Sequence, residues 1–181
     1  MEQAVYERRF DAAIALIEPK VASLRPGEAL SNFSRNFLVQ LAHCQEWAGH
    51  ADEARASYER VIQATKPSAD SAVRSDIASH YFLAQAYAGL GDKTNALDQA
   101  HRNVADLADD AISRASAETL LAQIQARFGD LDSAIAALPH LLEVPAGIAC
   151  ADLRFDPMWD PLRKDPRFQK LCQEKQPKDG K

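Results

Sequence analysis

Cysteine and glycine are scarce in this 181-residue chain, with three of the first and seven of the second. Cys44, Cys150 and Cys172 are an odd number at wide spacing, which excludes a disulfide framework and a CxxC pair. They read as buried or idle thiols of a reducing compartment. No apolar run approaches the roughly 20 residues that cross a bilayer. The opening Met1-Glu2-Gln3-Ala4 has neither the basic end nor the apolar stretch of a secretory signal. The expectation is a cytoplasmic protein, or the cytoplasmic part of a larger one, with no membrane partner. Excess positive charge is missing as well. A formal net charge of −5 argues against nucleic acid, whose phosphates attract a basic face. Arg163, Lys164 and Arg167 form a local basic cluster that reads as a solvated helix face.

Catalytic motifs are missing too. The chain contains no HExxH, GxSxG, SxxK or P-loop lysine, and Gly89-Leu90-Gly91-Asp92 lacks the preceding strand and third glycine of a phosphate loop. It reads as a helix–helix turn. His43 and Cys44 are helix neighbours that point about 100° apart, so they do not share an ion. His80, His101 and His140 have no partner at ligand spacing. No carboxylate pair stands out as an acid/base couple. Asn32-Phe33-Ser34 is a glycosylation sequon by spelling only. The expectation is a protein that is not an enzyme and carries no cofactor and no metal.

What is present is alanine, in a folded composition with 46% hydrophobic residues. Without β-branched runs, this favours helix. Three segments share one pattern. Leu41-Ala42 precedes Gly49, Leu83-Ala84 precedes Gly91 and Leu121-Ala122 precedes Gly129, each by eight and seven residues. An alanine follows each glycine by five residues, at Ala54, Ala96 and Ala134. Glycine ends a helix because it takes the left-handed conformation without a Cβ penalty. Asp52, Asp92 and Asp130 then suit the positive end of the next helix. The paired alanines let two antiparallel helices approach closely, and one such pair must stack on others to bury its apolar face. A damaged copy, Arg8-Arg9-Phe10-Asp11-Ala12-Ala13, places Ala13 in the alanine position with only about seven residues before the turn. An array that opens in mid-repeat is expected to be a piece of a longer protein; alternatively, its first helix is degenerate.

The spacing predicts helices over 10–23, 28–48, 51–64, 69–90, 93–108, 112–128 and 131–143. Pro19 should kink or shorten the first of these, and Pro26-Gly27 and Pro67-Ser68 mark turns between repeats. Asp156-Pro157, Asp160-Pro161 and Asp165-Pro166 each offer an Asp cap followed by Pro at the first helical position. Short helices carrying Phe155, Met158, Trp159, Leu162, Phe168 and Leu171 would therefore close the array. The expected organisation is helical repeats over 1–146 with turns near 8, 49, 91 and 129, capping helices over 147–173, and a disordered tail over 174–181.

These residues resemble the tetratricopeptide repeat family, whose unit is about 34 residues. From Gly49 to Gly91 is 42 residues and from Gly91 to Gly129 is 38. The excesses approximate two added helical turns and one, at about 3.6 residues per turn. The stretch from Arg154 to Phe168 is similar to the closing segment of tetratricopeptide modules that lie C-terminal to a kinase, a nucleotide cyclase or a winged-helix activator in bacterial signalling proteins. The resemblance implies an all-α fold. It also implies a right-handed superhelix of about three full hairpins, with a partial N-terminal hairpin and a short-helix cap. It implies a scaffold whose concave face, lined by the first helix of each pair, binds a protein or peptide.

Projection of those helices places Asn36, Val39, His43 and Trp47 on the inner face, then Ala78, Tyr81 and Gln85, then Ser116, Thr119 and Gln123. Amides would bond the backbone of an extended ligand and aromatics would anchor it. Alternatively, Trp47 and Tyr81 pack between repeats. Members that grip a chaperone C-terminal tail use lysines, asparagines and an arginine. Val39, His43, Tyr81 and Thr119 stand in those places, so no chaperone tail is expected. A second reading is a regulatory module that gates an attached domain or self-associates as a homodimer.

Overall fold

The computed structural model describes residues 1–24, 30–65 and 77–174. The expected turns at Pro26-Gly27 and Pro67-Ser68, the residues 69–76 of the fourth expected helix and the tail beyond Glu174 lie outside the described residues. All regular structure among the described residues is helical.

The chain divides into two compact units, Met1–Asp106 and Leu107–Lys181. The first contains α1 (Glu2–Tyr6), α2 (Phe10–Ala22), α3 (Asn32–Ala48), α4 (Ala51–Thr65), α5 (Ile77–Gly89) and α6 (Lys93–Asp106). Within it, α1 packs on α2, α3 on α4 and α5 on α6, while α2 also meets α3 and α4 meets α5. The helices α3 and α5 touch each other directly, so consecutive pairs pack in chain order.

One local geometry closes every pair. Gly49, Gly91 and Gly129 have φ of 86°, 78° and 85°, in the left-handed region. At each, the turn residue donates its N–H to the carbonyl three residues back (Glu46, Ala88, Ala126), and the next residue donates five residues back (Gln45, Tyr87, Gln125). This is the paired hydrogen bonding of a Schellman C-cap, which satisfies carbonyls that the helix end would leave open. The alanine five residues beyond the turn then opens the next helix, with Ala54, Ala96 and Ala134 donating to His50, Asp92 and Asp130.

The damaged first copy has the same backbone without glycine. Arg8 takes φ 59°, Arg8 and Arg9 donate to Val5 and Ala4, and Ala13 donates to Arg9. The residues before this turn, expected to be too few for a full helix, form the five-residue α1. Ala13, Ala42, Ala54, Ala84, Ala96, Ala122 and Ala134 are all buried, so close helix approach rests on small side chains throughout.

Gly89 has a separate role. It is helical, and a Cβ there would come within 2.2 Å of the ring atoms of Tyr58. Tyr58 on α4 is 1% exposed and donates its hydroxyl to Glu46 at 2.7 Å, so the missing side chain at Gly89 is the space that the ring occupies.

The second unit contains α7 (Ala111–Arg127), α8 (Leu131–Leu141), α9 (Cys150–Phe155), a 3-10 helix (Pro157–Leu162) and α10 (Pro166–Glu174). Its core joins Ala122, Ala126, Ala134, Leu138 and Leu141 to Leu153, Trp159, Leu162 and Phe168. The short helices thus share one core with the last pair, and the compact unit begins at Leu107 rather than at residue 147.

Several expectations require correction. Helix α3 begins at Asn32, not at 28, because Ser31 is its N-cap and accepts from the Ser34 N–H at 3.2 Å. Pro19 lies inside α2, which continues to Ala22. A proline in the last turn forfeits only one intrahelical hydrogen bond, and Ile17 and Val21 on either side are buried. Asp156 and Asp165 do cap helices, accepting from Met158 N–H at 2.9 Å and Arg167 N–H at 2.8 Å. Asp160 does not: Pro161 lies within the 3-10 helix, and the Asp160 carboxylate meets Arg163 at 2.6 Å instead.

Candidate binding surface

The face projected inward from α3 divides by depth. Val39 is 1% exposed and belongs to the core of the first unit, and His43 is a buried polar side chain at 9% exposed. The His43 ring lies tilted beside Trp47, at 5.4 Å between ring centroids, and meets Tyr58 edge to face at 5.7 Å. Trp47 also meets Phe10 of α2 at 5.6 Å. Its ring therefore joins two helix pairs while remaining half-buried. As placed, Val39 has almost no surface to offer a ligand. Asn36 is half-buried and reachable.

On α5, Gln85 is 7% exposed and turns its amide back to the Tyr81 carbonyl at 3.2 Å. Tyr81 and Ala78 are half-buried, and Tyr81 meets Phe82 edge to face at 5.4 Å. In the second unit Ser116 is exposed, while Thr119 and Gln123 are half-buried. The Thr119 hydroxyl is engaged by the Ala115 carbonyl of its own helix at 2.8 Å.

Asn36 and Trp47 on α3 and Ala78 and Tyr81 on α5 are thus each half-buried, and the two helices that carry them pack on each other. Gln40, one turn after Asn36, was missed in the sequence. Its side-chain oxygen is buried with no hydrogen-bond partner, and an unmade bond of that kind is costly. An i, i+4 count from Asn36 places it on the same face.

Polar side chains elsewhere bind the pairs together. Ser57 donates to Gln45 at 2.7 Å across the α3–α4 pair. His80 Nδ1 lies 2.7 Å from Gln99 Oε1, and its Nε2 lies 3.4 Å from Asp106. Gln99 donates its amide N–H to Asp98, which aims the carbonyl oxygen at the imidazole. At the helix starts, Ser113 bonds hold the Asp110 carboxyl below its usual range, and Asn95 does the same for Asp92.

The basic cluster is not a free patch. Arg163 donates to the carbonyls of Leu153, Arg154 and Asp156, closing the end of α9. Arg167 bridges Asp165 and Asp132 at 2.8 and 2.7 Å. Its guanidinium pulls the Asp165 carboxyl down to about 2. Burial instead raises the Asp156 carboxyl, against the Met158 backbone bond that lowers it.

Among the described residues no group of three or more His, Cys, Asp and Glu side chains is placed to hold a metal ion. No described helix is long and apolar enough to cross a membrane. Comparison with protein-family models, curated proteins and solved structures returns no match.

Proposed function

We propose that the chain is a tetratricopeptide-like scaffold that binds an extended protein or peptide segment and catalyses no reaction. The observation that carries this reading is the recurrence of one helix–turn–helix geometry at Arg8, Gly49, Gly91 and Gly129, with the same hydrogen bonds and a buried alanine five residues on. Repeats of this kind cannot bury their apolar faces singly and so build extended surfaces. The right-handed superhelix, the count of about three full hairpins after a partial one, and the cytoplasmic setting belong to the same proposal.

The part of the surface best suited to a ligand is the α3 and α5 face, with Asn36 and Gln40 as amides and Trp47 and Tyr81 as partly exposed aromatics. Amides match the donors and acceptors of an extended backbone, and the rings supply anchor area at low entropy cost.

A peptide library displayed on phage, selected against the purified chain, tests this reading. Selected peptides should bind Asn36→Arg at least tenfold more weakly than the wild type, with unchanged circular dichroism. Equal affinity for both proteins would remove this face from the proposal. Sedimentation of the free chain tests the alternative of a self-associating regulatory module. A tight dimer in which Asn36→Arg disrupts assembly would favour that alternative.

A further inference from the structure

One guanidinium of the second unit stands at a cleft with its charge unmatched. The cleft, of about 320 Å³, is lined by Leu153 and Arg154 of α9, by Arg163, and by Phe168, Gln169, Cys172 and Gln173 of α10. None of these side chains is a carboxylate. Arg163 is already committed, with Nε on Asp160 at 2.6 Å and its other donors on the carbonyls of Leu153, Arg154 and Asp156. Arg154 is different. Its carbonyl accepts from Arg163, but its half-buried guanidinium has no hydrogen bond or ion pair among the described residues.

We propose that this cleft binds a small apolar monocarboxylate, with the carboxylate on the Arg154 guanidinium and the hydrocarbon end towards Leu153, Phe168 and Cys172. This inference does not rest on the binding reading above. The planar fork of arginine matches the two oxygens of a carboxylate, and a charge-assisted pair of that geometry is stronger than a neutral hydrogen bond. The charge count selects the ligand. Asp160 matches Arg163, which leaves one positive charge, enough for a monoanion and too little for a phosphate dianion.

The rest of the lining agrees. Leu153 and Phe168 are buried and Cys172 is half-buried, so the walls beyond the guanidinium are largely apolar. Burial raises the Cys172 thiol above its ordinary value, with the Arg154 guanidinium opposing the rise, so the thiol adds no negative charge at neutral pH. Gln169 donates its amide to the Arg163 carbonyl at 3.0 Å, and Gln173 is the neighbouring amide donor on α10. The volume lies at the lower end of small-molecule sites.

The test titrates the full nitrogen-15-labelled chain with sodium hexanoate and follows the backbone amides by NMR, with hexanamide and inorganic phosphate as parallel arms at matched ionic strength. Saturable shifts are expected at Leu153, Phe168 and Cys172 with hexanoate, and none with hexanamide. Phosphate should bind more weakly than hexanoate. Bound hexanoate should also slow alkylation of Cys172 by iodoacetamide. Arg154→Gln should weaken hexanoate at least tenfold without changing the circular dichroism. The comparison of acid with amide is made on the wild type, so it decides the matter even if the variant folds poorly. Shifts that do not saturate, equal binding of hexanamide, phosphate binding as tightly as hexanoate, or a folded Arg154→Gln with unchanged affinity would overturn the proposal.

Discussion

Adding one methyl group at Gly89 should damage the first unit far more than its chemistry suggests. Two effects oppose each other. Alanine is a better helix former than glycine by about 1 kcal/mol in a helix interior, and less at the last residue of α5. Against this, the new Cβ would come within 2.2 Å of the Tyr58 ring, which is buried and tethered by its hydroxyl to Glu46. Overpacking typically costs about 1–3 kcal/mol, and displacing a hydrogen bond to a carboxylate adds about 1.5–3 kcal/mol.

A net loss of about 2 kcal/mol or more is expected for Gly89→Ala. At a urea dependence of about 2 kcal/mol per molar, the midpoint should fall by about 1 M. Urea unfolding followed by far-ultraviolet circular dichroism reads this shift. The decisive comparison is a double-mutant cycle with Tyr58→Leu, in which the added methyl should become neutral or favourable. Gly91 is the internal control: a Cβ there meets nothing within 4 Å, so Gly91→Ala should show only its backbone penalty, with or without Tyr58. A Gly89→Ala protein as stable as the wild type, or a cycle without coupling, would refute the reasoning.

Other perturbations test other parts of the structure. Arg8 pays the left-handed penalty of about 1–2 kcal/mol that the other turns avoid. Arg8→Gly should therefore leave stability unchanged or raise it by up to about 1 kcal/mol in urea, after the larger unfolded-state entropy of glycine is offset. Asn103 is 2% exposed and its side-chain nitrogen has no partner. Asn103→Leu should be neutral or stabilising by about 1 kcal/mol, and a clear loss of thermal midpoint would show that the amide matters. Asp156 has a folded carboxyl raised by burial, so it holds protons more tightly folded than unfolded. Its contribution to stability therefore falls as pH rises from the unfolded value through the folded one. Asp156→Asn keeps an acceptor for the Met158 N–H, and its stability advantage over the wild type should grow over that window and persist at neutral pH. Urea titrations at several pH values measure it.

The repeated turns were legible in the sequence because one physical requirement, a left-handed residue between two helices, selects glycine. Register alone located the turn at Arg8, where no glycine marks it. The start of α3 was not legible, because Pro26-Gly27 is a louder signal than the Ser31 cap. Asp160-Pro161 misled for a similar reason. Asp156 begins a helix four residues earlier, and Arg163 claims the Asp160 carboxylate.

Periodicity assigns a side chain to a face but not to a neighbour. Val39 and His43 were projected onto the inner face of α3, yet both are buried, and Phe10 and Tyr58 from the flanking helices enclose the aromatic cluster beside them. Gln40 was passed over although the same i, i+4 spacing from Asn36 would have found it. Gly89 was read together with Gly91 as turn chemistry. Only the ring of Tyr58 separates their roles.

The most direct measurement is backbone NMR of the four inter-helix turns, combining three-bond HN–Hα couplings with amide exchange. Positive φ should appear at Arg8, Gly49, Gly91 and Gly129, with the amides of Arg9, His50, Asp92 and Asp130 protected by their bonds back into the preceding helix. A negative φ at Arg8, or unprotected amides at these positions, would contradict the claim that one hairpin geometry recurs along the chain.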